Sequence, residues 1–117
     1  MLLNHGRYAG YKVVKPSTID EWTSRAYPGT NNRRGVGFDK KGLTTGGGAA
    51  SELASESSFG HSGFTGTLLW VDPEFDLVYV FLSNRTFPTS ENRKLITMNV
   101  RTEIHRVFME HIISNTE

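Results

Sequence analysis

Two apolar runs separated by five residues constrain this chain more than any other feature. Phe64 to Val71 is rich in Phe, Thr, Leu, Trp and Val, Leu77 to Leu82 is almost continuously apolar, and Asp72-Pro73-Glu74-Phe75-Asp76 lies between them. Aromatic and β-branched residues suit a pleated strand, and Pro and Asp suit the turn. Strands joined by so short a connector must be antiparallel, because a parallel crossover needs a dozen or more residues. The second run has no polar alternation, which predicts a central strand covered on both faces. Any fold of this chain therefore has to place material on each side of the hairpin.

One cover is readable. Ile96, Val100, Ile104, Val107 or Phe108, and Ile112 recur three and four apart, predicting a helix from about Met98 to Ile113 with one apolar side. Arg101, Glu103, Arg106 and Glu110 fall between them as a solvated face, and His105 and His111 read as surface residues. The opposite face of the sheet needs a short helix predicted over Thr18 to Ser24, or material absent from the chain. Lys15-Pro16 precedes that helix, Ser17 with Asp20 and Thr18 with Glu21 have capping-box spacing, and Ile19 and Trp22 form its expected buried stripe. Met1 to Gly6 reads as the last turn of a helix and its cap, Arg7 to Val14 as a connection, and Gly35 to Phe38 as a short strand. Gly46-Gly47-Gly48 followed by the serine-rich Ala49 to Ser58 reads as a flexible excursion. Trp70, Tyr79 and Phe81 are expected to pack in the core, with Phe87-Pro88 and Leu95 fastening the connection into the final helix.

Composition sharpens this picture. Most of the bulky apolar residues lie between Phe64 and Ile113, while the first sixty residues hold most of the glycines. That imbalance is what a piece of a larger fold would show. A formal charge of +1 gives no electrostatic basis for nucleic-acid binding, and Arg33, Arg34, Lys40 and Lys41 read as a solvated loop. The absence of cysteine excludes disulfides, thiolate nucleophiles and thiolate metal sites. No stretch approaches eighteen apolar residues, so no membrane segment is expected in this chain. No metal-binding motif is present, and no cofactor is expected.

The chemistry-bearing segment is Ser58-Phe59-Gly60-His61-Ser62-Gly63-Phe64-Thr65-Gly66, read as placing His61 and Ser62 at the beginning of the first strong strand. Glycine at every third position allows a bound group to approach the backbone, although a glycine-rich strand entrance explains the same pattern. His61-Ser62-Gly63 resembles the third motif of the serine β-lactamase-like and penicillin-binding superfamily, a Lys-Thr-Gly or Lys-Ser-Gly that becomes His-Thr-Gly or His-Ser-Gly in many relatives. The surroundings are similar in the same order: Met1 to Gly6, Lys15 to Thr23, Val36-Gly37-Phe38, Phe59 to Thr67, Trp70-Val71-Asp72-Pro73, Val80 to Arg85 and the terminal helix. The resemblance covers nearly the whole chain.

It implies an α/β fold of the α+β type, with a partial antiparallel sheet packed against helices. Residues 1–117 would be a carboxy-terminal fragment of a β-lactamase-related serine hydrolase domain. It also implies that His61 sits at the basic position facing the nucleophile, either orienting a substrate carboxylate or joining a proton network. Ser62 would offer a hydroxyl to substrate, Gly63 would keep the cleft open, and the Phe64 N–H would form half of an oxyanion hole. Substrates of the complete protein would be a small-molecule ester, amide or β-lactam.

The family's nucleophile lies in Ser-x-x-Lys, and no serine here is followed by lysine at the third position. A Tyr-x-Asn second motif is also absent, since Tyr27 to Asn31 has the wrong spacing. Catalysis is therefore expected to need a missing amino-terminal part or a second chain, and an uncovered sheet face would favour self-association. A non-catalytic structural or binding domain is the competing reading.

Overall fold

A computed structural model describes residues 1–44 and 48–116; Gly46 and Gly47 of the expected glycine excursion lie outside the described residues. The element order is β1 (Arg7–Tyr8), β2 (Tyr11–Lys12), α1 (Pro16–Thr23), β3 (Asp39–Lys40), β4 (Phe59–Ser62), β5 (Leu68–Asp72), β6 (Leu77–Phe81), α2 (Lys94–Thr97) and α3 (Val100–Ser114). The strands β3-β4-β5-β6 form one antiparallel sheet in that order, and β1 and β2 form a separate two-stranded hairpin. This is the mixed architecture of antiparallel strands and helices that the sequence implies. Among the described residues no helix is long and apolar enough to cross a membrane.

The β5–β6 hairpin forms as expected, with Asp72 opposite Leu77 and the tight turn completed by Asp76 at φ 48. Its sheet position differs: β6 is the edge strand, not a central one. The start of the first run differs as well. Phe64 to Thr67 is a turn, and the strand before it is β4, so His61 and Ser62 end one strand instead of beginning another. Gly60 lets β4 lie close on β5, because a Cβ there would collide with the Trp70 side chain and the Leu69 carbonyl.

Behind the sheet, Leu68, Trp70 and Tyr79 pack with Ala50 and Ala54. The segment from Ala49 to Ser58 is thus not an excursion. Its small residues fill the space between sheet and α3, and Ser51 and Ser58 are almost completely buried. Their polar atoms are satisfied locally: the Ser58 hydroxyl donates to the Ser55 carbonyl (2.6 Å), and the Leu53 N–H donates to Ser51 Oγ (3.1 Å). Asp72, fully buried, accepts from the Ser55 N–H (2.8 Å), the Ser55 hydroxyl (2.6 Å) and the Glu74 N–H (3.2 Å). One carboxylate therefore ties this segment to the hairpin turn, where leaving its partners unmade would be costly.

The side α3 turns inward is not the apolar stripe. His105 and Met109 are fully buried, whereas Ile104, Val107 and Phe108 are exposed. The His105 ring stacks on Tyr79 (4.8 Å between centroids, 5° between planes), and its Nδ1 accepts the Ser51 N–H (3.1 Å). Burial lowers its pKa to about 4, a shift that the Asp72 charge opposes. Polar bonds from Tyr79 Oη to the Arg101 carbonyl (3.1 Å), from Arg101 to the Thr67 carbonyl (3.1 Å) and from the Thr102 hydroxyl to the Ala49 carbonyl (3.1 Å) fix the helix further.

The amino-terminal region shows several departures. Residues 1–6 make turns with His5 and Gly6 in the left-handed region, as at a helix end, and Arg7 to Lys12 make the β1–β2 hairpin. Helix α1 starts on Pro16 with no side-chain cap, and its buried pair is Ile19 and Thr23, four apart; Trp22 is exposed. Residues 35–38 form no strand; they are strapped to the end of α1 by bonds that include Val36 N–H to the Trp22 carbonyl (2.9 Å). Phe87 is exposed and fastens nothing.

Candidate active site

The register of the sheet decides what accompanies His61. His61 lies opposite Leu69, which lies opposite Val80, so the three share the face directed away from α3. That face is closed at one end, where Phe59 and Val71 are buried and Phe38 meets the Phe59 ring edge-on (5.2 Å). At the His61 end it is open, with Leu69 and Val80 exposed and Leu82 beyond them 79% exposed; on the edge strand Val78, opposite the buried Val71, is exposed too. Strand β3 pairs only with Phe59 and Gly60, so the outer edge of β4 at His61–Ser62 carries no strand among the described residues.

After Ser62 the chain reverses. The Gly63 N–H donates to the Thr67 carbonyl (2.8 Å), and the Gly66 N–H donates to the Gly63 carbonyl (3.0 Å). Gly66 has φ +100, and a Cβ there would strike the Ser83 hydroxyl. The turn is tied to the end of β6 by the Arg85 N–H donating to the Thr65 carbonyl (2.9 Å). Phe64, in the turn, is 75% exposed and its ring lies against the Arg85 guanidinium (4.6 Å). At Gly63 a side chain would meet the Thr67 hydroxyl. Ser62 lines a cavity of about 250 Å³ with Arg33, Arg34, Asp39 and Arg101. His61, Ser62, Gly63 and Phe64 thus follow one another along one accessible strand end and turn, with the His61 and Ser62 side chains on opposite faces of the sheet.

The basic loop is not simply solvated. Arg33 pairs with the buried Asp39 (2.9 Å), Lys41 approaches Glu56 (3.5 Å), and Lys40 is buried with its ammonium donating to the Ser57 carbonyl (2.9 Å). Burial, together with the Arg25 charge, holds the Lys40 pKa below its ordinary value. Arg34 reaches His61, its Nη1 lying 3.1 Å from Nε2, while His61 Nδ1 lies 2.9 Å from the Ser62 carbonyl. A guanidinium can only donate and a carbonyl can only accept. Both contacts fit the tautomer in which Nε2 accepts and Nδ1 carries the proton. Adjacent Arg33 and Arg34 gave no sign in the sequence that one would turn inward to a carboxylate and the other outward to His61.

The beta-lactamase family profile matches residues 9–100 of this chain. The chain belongs to the beta-lactamase family. Among curated relatives, the protein named "Putative D-alanyl-D-alanine carboxypeptidase" in Salmonella gallinarum is 30% identical over 95 residues, 81% of this chain and 22% of that protein. Its namesake in Salmonella newport matches with the same identity and coverage. Among solved structures, a beta-lactamase from Mycobacterium bovis superposes with a TM-score of 0.68 at 22% identity, over 95% of this chain and 40% of that one. The chain thus has the fold of a portion of a beta-lactamase-like protein, and spans about a fifth of the curated relatives it matches.

Proposed function

We propose that residues 1–117 are the carboxy-terminal portion of a serine hydrolase and form one wall of its active site, with the nucleophile supplied by polypeptide outside this chain. The observation that carries the reading is the placement of His61, Ser62 and Phe64 on an accessible strand end and turn in a beta-lactamase-family fold. The reaction is acyl transfer to a serine. Serine attacks the carbonyl of an ester, amide or β-lactam, giving its proton to a base outside this chain, and the Phe64 N–H donates to the oxygen that becomes negative. Such a donor accelerates the step because it meets charge that develops only in the transition state. The C–O or C–N bond then breaks and the alcohol or amine takes up that proton, remaining attached as the opened ring in a β-lactam. Ser62 presents a hydroxyl to the substrate, and water releases the acyl group. The match to only a minor share of the relatives' length supports a nucleophile carried elsewhere.

The test uses the longest continuous reading frame that contains these 117 residues. If it carries Ser-x-x-Lys, its product is expected to hydrolyse an activated ester. Phe64→Pro, which removes the backbone donor, should then lower kcat by about a hundredfold or more. An active protein unaffected by Phe64→Pro would remove the oxyanion role. A frame without Ser-x-x-Lys, and no partner chain carrying it, would leave a binding or structural domain.

A further inference from the structure

His61 is the first residue of a stretch that resembles a Lys-Thr-Gly motif, and an imidazole in place of that lysine lacks its fixed charge. The structure supplies a cation beside it. Arg34 Nη1 lies 3.1 Å from His61 Nε2, and no acidic side chain is paired with Arg34 among the described residues. Its backbone is anchored, which makes the approach more than a wandering surface side chain. The Ala26 N–H donates to the Arg34 carbonyl (2.8 Å), the Arg34 N–H donates to Asn32 Oδ1 (3.0 Å), and the next residue's N–H donates to the Phe38 carbonyl (2.9 Å). That next residue, Gly35, sits so close to the end of α1 that a Cβ would collide with the Trp22 and Ser24 carbonyl oxygens. The strap therefore presents Arg34 from α1 across to the end of β4.

We propose that Arg34 is the positioning residue of His61: its guanidinium holds the imidazole in the tautomer protonated on Nδ1 and places a permanent positive charge at the basic position of the wall. The role in catalysis rests on the proposed acyl-transfer reading; the geometry does not. Which ring nitrogen carries the proton is set by the hydrogen bond the other nitrogen makes. Here both bonds act in one direction, since Arg34 donates to Nε2 and the Ser62 carbonyl accepts from Nδ1. Nε2 is thus occupied in the resting wall. Arg34, with guanidinium N–H groups still unengaged by His61, supplies the charge for an anionic substrate group. This favours orientation of substrate over general-base work as the task of the His61–Arg34 pair.

The tautomer is read from nitrogen–proton correlation spectra of the ring in the 15N-labelled chain, above the ordinary histidine titration range. Signals of His61 are identified by their loss in His61→Gln. The expected wild-type spectrum has the proton on Nδ1. Arg34→Met keeps the aliphatic stem and should raise the ratio of the Nε2-protonated to the Nδ1-protonated form by about threefold or more, the scale of one modest hydrogen bond. Arg34→Lys should restore most of the wild-type ratio. A wild-type ring protonated mainly on Nε2 overturns the proposal without any variant, and so does an unchanged ratio in Arg34→Met with a native amide spectrum. Because no substrate is involved, an inactive longer protein would count against the acyl-transfer reading and leave the tautomer result standing. The Nε2 tautomer in an active one would remove the role of Arg34 alone.

Discussion

The two faces of the β5–β6 hairpin are built from the same kinds of residue and end in opposite states. Toward α3, Leu68, Trp70 and Tyr79 are buried under Ala50, Ala54 and His105. Away from it only Val71, under Phe59, is buried; Leu69, Val78 and Val80 are exposed, and Leu82 and the outer stripe of α3 (Ile104, Val107, Phe108) are exposed too. Side chains that alternate in direction along one strand share a backbone and a propensity, so the difference lies in what covers them. Contiguous exposed apolar side chains on a sheet are characteristic of surfaces meant to be covered. The open face also carries His61, while Ser62, opposite the buried Leu68, points to the α3 side, so the uncovered apolar surface adjoins the His61 part of the proposed active-site wall.

The sharpest way to test the contrast is to cut into the closed face. Trp70→Ala should cost about 3–5 kcal/mol in chemical denaturation of the chain, since it removes a large, fully packed side chain. A loss no greater than that of an open-face substitution would mean the closed face is not a core.

Acid should act on the same face. The folded pKa of His105 is about 4 and the unfolded value about 6.5. Between these the unfolded chain binds a proton that the folded chain refuses. The stabilisation is therefore present above the unfolded value, declines as pH falls, and is gone below the folded one. The change is up to roughly 3 kcal/mol. A stability profile should show this slope, and His105→Gln should flatten it by one proton. A wild-type profile already flat across that range would contradict the buried, neutral His105.

Ser55→Ala removes one of three donors to the buried Asp72 and should cost about 1–2 kcal/mol by the same denaturation assay. On the open face Val80→Lys should change stability by only about 0.5 kcal/mol or less. The wild-type chain is expected to associate with rising concentration in sedimentation, and Val80→Lys should abolish this, because a lysine on an edge strand opposes pairing. A large stability loss from Val80→Lys would show that the face is closed in solution.

Which parts were legible from sequence follows from what each signal measures. Apolar runs and a short connector mark a hairpin because strand burial and chain reach both act locally, and that hairpin is present. The β4 strand was hidden because Gly60, His61 and Ser62 have no strand composition; Trp70 and the register hold them extended. Apolar periodicity on α3 pointed to Ile104 and Val107, but the inward side is set by His105 stacking on Tyr79 and bonding Ser51, a polar contact that a count of hydrophobic residues ignores. The expectation that both faces of Leu77 to Leu82 are covered failed within this chain for a related reason. The composition of a strand does not say which face is covered, and among the described residues nothing covers Val78 and Val80. Of the proposed wall, the motif itself was readable, whereas Arg34 was not, because its approach to His61 depends on the strap holding residues 34–36 to the end of α1.

The central claim is that this chain holds a wall and not the nucleophile. Intact-mass analysis of the highly purified chain after incubation with an activated ester and with a β-lactam tests it most directly. The account predicts an unchanged mass and no ester turnover; a covalent acyl adduct on a serine of this chain, with turnover abolished by Ser62→Ala, would contradict it.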